Sequence, residues 1–540
     1  MFDTDGQQPI FQQLLFTISR TLEISMTPSI ALPLCPLPFR RMQLGSFLLA
    51  LACLLSPIVV QAQVNFNGKQ PSVNVGSQPV GSSSATVSLL FTIEAGTKVG
   101  SIAVLTTGIA DQDFSAANKS TCKATTYATA TDCVVNVSFT PLATGLRRGA
   151  VVFYSRGKNT GTVLATVPVF GVGIGPQVVF GPGGTQTTVG SKLISPLGVA
   201  VDGAGNVYVS DIGLQEVFKV TPSGTQTTVG SGLDVPQSVA VDGAGNVYIA
   251  DSQYPAVFKV TPDGIQTMIG SGFDWPSGVA VDGAGDVYVS DPFVDAVFKI
   301  TPSGKQTTVG GGYNTPAGVA VDASGNLYVA DTYNAAVYKI TSEGKQTTIS
   351  AKLTSPAAVA VDAAGNLYIT DSGTDSLYEV TPSGVQTTMI GGLNVPDGVA
   401  IDELANLYIA NTYNKQVMRI DRADAPSLKY DSTQIGSTSA DSPKAVQVEN
   451  IGNAVLQFSA LTYPADFPQG KASRKTVECA ASTPLATAST CTLTIDFSPV
   501  TPLGSKTSKV LREDVKLTTN NLNVAGALEE IPVSGTETQP

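Results

Sequence analysis

The 540-residue chain contains no histidine. This excludes Ser-His-Asp and Cys-His nucleophilic sites, His-ligated zinc, and imidazole as a general acid or base. Charge is also scarce: 14% of residues are Asp, Glu, Lys or Arg, and the formal net charge is −11. That balance repels phosphate and disfavours a nucleic-acid partner. Tryptophan occurs once, at Trp275. None of the six cysteines falls between residues 177 and 422, and no window there has helical periodicity.

What that stretch has instead is repetition. "SPLGVAVDGAGNVYVSD" at 195–211 returns five times with a spacing of 40 and no insertion. Pro196, Asp202 and Tyr208 thereby reappear as Pro236, Asp242 and Tyr248, and so on to Pro396, Asp402 and Tyr408. Each unit holds four short runs rich in β-branched and aromatic residues. Turns such as "DGAGN" and "TPSG" separate them, with Gly supplying positive φ and Pro pre-setting φ. A period near 40 built only of short strands predicts a blade of a β-propeller. The sixth unit stops at "VMRIDR" (417–422) without the "SGxQTT" run that ends the others, and "GGTQTTVG" (183–190) precedes the first unit. The Thr185–Val189 run is therefore expected to complete the last blade and remove an exposed edge.

The pattern "PxGVAVDxxGNVYVxD…VxK(V/I)" resembles the NHL repeat family of six-bladed propellers. Its departures are Asp286 for Asn, "DELAN" at 402–406, and Asn411 for the final Asp. Some enzymes of this likeness, the amidating and virginiamycin lyase types, use histidine and a metal at sites that have no counterpart here. Lactonase-like propellers hold a metal with unlike acidic and amide residues. The innermost runs are read as free of any acid peculiar to one blade.

The flanks are read as three segments. Residues 1–62 form an N-terminal extension with a signal peptide: Arg40-Arg41, the apolar run 45–60 and a V-x-A ending predict cleavage after Ala62. A membrane anchor and a lipoprotein signal at Cys53 are the alternatives, and the start is Met26 or Met42. Residues 63–176 and 423–540 have parallel frames. "DFSAANKSTC…C-VVNVSFTPLATG" matches "DFPQGKASRKTVEC…C-TLTIDFSPVTPLG", which predicts two Ig-sized β-sandwiches. The paired spacing predicts the disulfides Cys122–Cys133 and Cys479–Cys491 and an oxidising compartment: secreted, periplasmic or cell surface. The second sandwich resembles the Ig-like modules grouped with ASPM, SPD-2 and hydin proteins and found in choice-of-anchor surface proteins. That resemblance implies a spacer or interaction role.

The fold class expected is therefore all-β: a six-bladed propeller at 177–422, closed by a shared strand, between two Ig-like sandwiches. Asp202 and its equivalents recur in every blade and read as turn residues that bond their own backbone. Asp211, Asp251, Asp291, Asp331 and Asp371 read as partners of strand-three lysines such as Lys219, or as weak candidates for a Ca²⁺ site. No other cofactor is expected. The loops after the second and fourth strands vary between blades and gather Tyr254, Asp274, Trp275, Phe293, Asp295, Tyr313, Tyr333, Asp375 and Tyr413. Aromatics beside carboxylates suit a protein, peptide or glycan surface; otherwise the rings plug the loops against one another. Two functions follow: a monomeric, non-enzymatic binding or adhesion scaffold, with no membrane span after cleavage, or a metal-dependent lyase or lactonase using ring carboxylates.

Overall fold

The computed structural model describes residues 63–539, apart from 182–183, 350–351, 472–475, 482, 501 and 505. The signal-peptide residues lie outside this range. Strands and turns make up the described chain, and its helical pieces are two short 3-10 turns, Thr412–Asn414 and Asn521–Asn523.

The repeats form six four-stranded sheets. In the first, Pro196–Val201, Val207–Asp211, Glu216–Val220 and Gln226–Val229 pair antiparallel in chain order. Small apolar residues in the first strand allow close packing, whereas the second strand, "VYVSD", is buried throughout. The fourth strand is polar and partly exposed, as an outer strand with one wet face should be. The sixth sheet takes Pro396–Ile401, Leu407–Asn411 and Gln416–Asp421 from its own repeat, and Thr185–Val189 from before the first. Thr185 lies opposite Asp421, and Val189 opposite Val417.

The repeated tyrosine explains how neighbouring sheets hold together. Tyr208 leaves its own sheet to pack with Val239, Val241 and Ile249 of the next. Tyr408 of the sixth sheet packs likewise with Val199 and Val209 of the first. Full burial of such side chains stabilises by roughly 1.5–3 kcal/mol each.

Two further pairs of sheets flank the repeats. Before them, a four-stranded sheet faces a five-stranded one across a core containing Phe91, Phe114, Phe139 and Phe153. After them, Leu428–Lys429, Thr433–Gln434, Phe458–Thr462, Ser508–Thr519 and Ala527–Thr538 form one sheet, while Lys444–Asn450 and Ser489–Ile495 belong to the other. The strand that completes this second sheet is Val178–Gly181, from the other end of the repeats. Val178 pairs with Asn450, and Gly181 with Gln447. Residues 178–181, assigned to the repeats by a boundary at 177, thus pair with the last segment instead. The two disulfides join Cys122 to Cys133 and Cys479 to Cys491.

Candidate functional site

Each "VD-x-x-G-N-x-Y" phrase is a self-contained hydrogen-bond unit. Asp202 Oδ1 accepts from the backbone N–H of Ala204 (2.9 Å) and of Asn206 (3.0 Å). Its Oδ2 accepts from the Asn206 amide (2.8 Å) and the Tyr208 hydroxyl (3.0 Å). This is the turn role expected of the residue. Lys219 sits over the Tyr208 ring, 5.4 Å from its centroid, and 3.7 Å from Asp202. The strand-three lysine therefore serves Asp202 rather than Asp211. Where Asp286 replaces the asparagine, Lys299 supplies a compensating ion pair at 2.6 Å. Burial and the Asp282 charge push the Tyr288 hydroxyl up to about 12.

Asp211, Asp251, Asp291, Asp331 and Asp371 end their second strands fully buried. Their oxygens receive backbone amides of the loop that follows the preceding fourth strand. Asp211 accepts from Ile194 (2.8 Å) and Ser195 (2.9 Å), and Asp371 from Thr354 (2.7 Å) and Ser355 (3.0 Å). Asp251 and Asp291 do the same, while Asp331 combines the Asn314 amide with the Asn334 side chain. Asn411 takes over this role in the sixth sheet. A Ca²⁺ ion at these positions would have to displace those donors. Among the described residues, no three Asp, Glu or Cys side chains are grouped to hold a metal.

These contacts also place the two variable loops of each repeat at one end of the sheets. Tyr254, Phe293, Tyr333 and Tyr413 are 54%, 43%, 45% and 51% exposed there. Trp275 is half-buried, its ring 5.1 Å from that of Phe293, and Asp274 is exposed. Tyr313 does not join them. It is 6% exposed, lies edge-on to Tyr338 and donates its hydroxyl to the Val309 carbonyl at 3.0 Å. It occupies the repeat position of Leu193, Phe273 and Leu393, all buried plugs between sheets, so its size serves packing. Asp295 and Asp375 have φ of 49° and 50° and accept the amides of Thr315 and Val395, each at 2.9 Å. Both tie adjacent loops together.

One acid peculiar to a single repeat was missed by sequence reasoning. Asp397 lies in the innermost strand Pro396–Ile401, where the other repeats have Leu197, Gln237, Ser277, Ala317 and Ala357. Burial pushes its carboxyl up to about 6, against the opposing effect of the Thr412 hydroxyl that donates to it at 2.7 Å. "VPDGVAID" displayed it in the sequence, as the one charged residue at a position that is otherwise Leu, Gln, Ser or Ala.

The opposite end of the sheets is covered. Gly203 donates its N–H to Thr107 Oγ1 at 2.7 Å. A Cβ on Gly243 would lie 2.3 Å from the Gly149 carbonyl oxygen, and one on Gly283 would enter the Phe170 ring. Arg147 bridges Asp113 (2.6 Å) and Glu403. Beside this contact, Val179 and Ile451 pack on Ala405. Arg422, wholly buried, donates to Tyr368 at 2.8 Å and Glu449 at 2.5 Å, with Glu379 at 3.8 Å. Burial opposes the guanidinium charge, but the surrounding oxygens hold it. Burial first, then Glu379, pushes Glu449 up, because one cation faces two carboxylates.

Comparison with known proteins gives one family match: the NHL repeat model fits residues 313–339, within the fourth repeat. Among curated proteins, none matches the chain in sequence. Similar solved structures include a virginiamycin B lyase from Staphylococcus aureus, 13% identical with a TM-score of 0.37, spanning 46% of this chain and 99% of that one. A gluconolactonase from Xanthomonas campestris is 16% identical with a TM-score of 0.41, over 46% and 98% of the two chains. An auxiliary nutrient binding protein from Bacteroides thetaiotaomicron is 12% identical with a TM-score of 0.38, over 66% and 96%.

Proposed function

We propose that this chain is an exported, non-enzymatic binding or adhesion scaffold. In this reading the six sheets are blades of one propeller closed by the shared strand Thr185–Val189. The flanking sheet pairs are Ig-like modules that carry it. The loop end with Tyr254, Trp275, Phe293, Tyr333 and Tyr413 captures a protein, peptide or glycan.

The observation that carries the reading is the contrast between the two ends of the sheets. One end is occupied by the flanking modules through Gly203, Gly243, Gly283 and Arg147. The other leaves aromatic side chains exposed that differ from repeat to repeat. Repeat-invariant residues are spent on turns and sheet packing, so blade-specific aromatics at the open end suit an asymmetric ligand. The repeated carboxylates are engaged by their own loops, and among the described residues no three Asp, Glu or Cys side chains group into a ligand set for the rival metal-dependent lyase or lactonase. Two disulfides suit an oxidising compartment, and no helix of the described residues is long and apolar enough to cross a membrane.

A glycan, peptidoglycan and peptide array on the purified chain tests the proposal. Capture that Trp275→Ala and Tyr333→Ala both weaken supports it. Capture indifferent to both variants, or turnover of a lactone that EDTA abolishes, would replace it with another site or with the enzyme.

A further inference from the structure

In the first four repeats the strand-three cation is Lys219, Lys259, Lys299 or Lys339, and each lies over the repeated tyrosine of its own sheet. The sixth repeat has Arg419 at this position, and the fifth reverses the charge with Glu379. The cation over Tyr368 is instead Arg422, which reaches across from the end of the sixth repeat, 5.2 Å from the ring centroid. Arg422 in turn holds Glu449 of the final sandwich at 2.5 Å.

The charges at this joint do not balance. The fifth repeat contributes Asp362, Tyr368 and Glu379, the sixth Arg422, and the strand Lys444–Asn450 Glu449. Val178–Gly181, whose Phe180 donates its N–H to the Arg422 carbonyl at 2.8 Å, is uncharged. Asp421, beside Arg422, pairs with Arg419 at 3.0 Å. Three carboxyls therefore surround one guanidinium, Asp362 through the Tyr368 hydroxyl. Asp362 accepts from the N–H of Ala364 and Asn366, the Asn366 amide and Tyr368, although burial pushes its carboxyl up to about 6. Glu379 and Glu449, both buried, are in hydrogen-bond contact with each other. Ionised carboxylates only accept, so a bond between two of them needs a proton. Two carboxyls that close titrate as a pair, and the proton belongs to both.

We propose that the joint between the repeats and the final sandwich is a proton-held latch, in which Glu379 and Glu449 share one proton while it is closed. With that proton, the remaining carboxylate neutralises Arg422. Without it, a second negative charge is stranded in a buried place, at a cost of several kcal/mol in general, and Lys444–Asn450 loosens from the repeats. The Glu449 carboxyl is raised above its ordinary value, so the latch's contribution is complete in acid and is lost as pH rises through the folded value. Acidity thereby stiffens the mounting of the repeats, and alkalinity frees it. The latch involves none of the variable loops, so it stands or falls apart from ligand capture.

Hydrogen exchange of the full chain, followed by mass spectrometry and corrected for intrinsic rates, reads the latch. Peptides covering 178–181 and 444–450 should lose protection by at least about tenfold as pH is raised from about 5 to about 9, while Gly145–Arg156 of the first sandwich should not. Glu379→Gln, which donates a hydrogen bond without a charge, should keep the acid-state protection throughout. Glu449→Gln, in which Glu379 becomes the sole counter-ion, should be flat as well. Asp397→Asn, which removes an acid outside the joint, should follow the parent. Infrared difference spectra, parent minus Glu379→Gln, should show a protonated-carboxyl band that fades over the same pH range. Flat protection in the parent, either glutamine variant loosening with pH as the parent does, or a difference spectrum without a carboxyl band would overturn the proposal.

Discussion

Glu449→Ala probes the buried charge that joins the last repeat to the final segment. In the parent, Arg422 is 0% exposed, and Glu449 carries its shortest charge-assisted bond at 2.5 Å. Truncation leaves the guanidinium facing Tyr368 at 2.8 Å and Glu379 at 3.8 Å. It also removes the weaker of two acceptors of the Asn366 amide, 3.3 Å away, leaving Asp362 at 2.9 Å. Stripping one partner from a buried ion pair costs about 3–5 kcal/mol. Glu379 is close enough to take over part of the charge, so the lower end, about 3 kcal/mol, is expected. Urea unfolding followed by near-UV circular dichroism should show this as an earlier midpoint. Arg422→Met in the Glu449→Ala background should recover part of the loss, because it removes the orphaned charge and fills the space with an apolar chain. The double-mutant cycle should then give a coupling of at least about 2 kcal/mol. A loss under about 1 kcal/mol for Glu449→Ala, or strict additivity with Arg422→Met, would refute the assignment of this pair as the joint.

Asp397 offers a pH signature. Its folded pKa near 6 lies above the ordinary carboxyl value of 3.8, so the stability it contributes is complete below about pH 4 and is lost as pH rises through 6. Two units correspond to about 3 kcal/mol at most; partial exposure brings this to about 1–2 kcal/mol. Urea unfolding of Asp397→Asn, which still accepts from Thr412, should lack that fall between pH 4.5 and 7.5; an identical profile in both proteins would reject the burial of this carboxyl. Deleting residues 185–189 should expose the edge of Gln416–Asp421 and promote aggregation with a clearly lower melting temperature; calorimetry matching the parent would contradict the pairing. Trp275→Ala and Tyr333→Ala should each weaken capture of an array-identified ligand by about 1–3 kcal/mol with unchanged melting; loss of stability with full affinity would make these rings loop plugs.

The parts of this structure legible in the sequence are those written within one repeat. Asp202, Asn206 and Tyr208 satisfy one another across six residues, so their spacing alone carries the turn. The parts that were not legible join distant segments. Nothing local marks Arg422 as the partner of Glu449, or Val178 as the neighbour of Asn450. Arg148 lacks any local sign that it would line the space between the innermost strands. Two further signals lay in the sequence, one unused and one taken for part of the ligand face. The residue after the turn aspartate is glycine in the first three repeats and Ala323, Ala363 or Glu403 in the rest. Gly203, Gly243 and Gly283 turn out to be positions where a Cβ would collide with the first sandwich. Tyr313 falls at the position of Leu193 and Phe273, which marks it as a plug despite its hydroxyl.

The pairing of Val178–Gly181 and Thr185–Val189 with strands beyond the sixth repeat also bears on the order of assembly. Thr185 meets Asp421, and Val178 meets Asn450. During synthesis at about 5–20 residues per second, both early strands must wait about 10–50 s for their partners. Until then each is an unpaired β-segment with no neighbour in sequence to shield it. The first sandwich and the first five sheets can form as they emerge, but the sixth sheet and the second sandwich are completed only near the end of the chain. Such long-range closure slows folding. It also means that a growing chain halted before residue 416 carries two exposed strand templates, a state from which pairing with a second chain competes directly with completion.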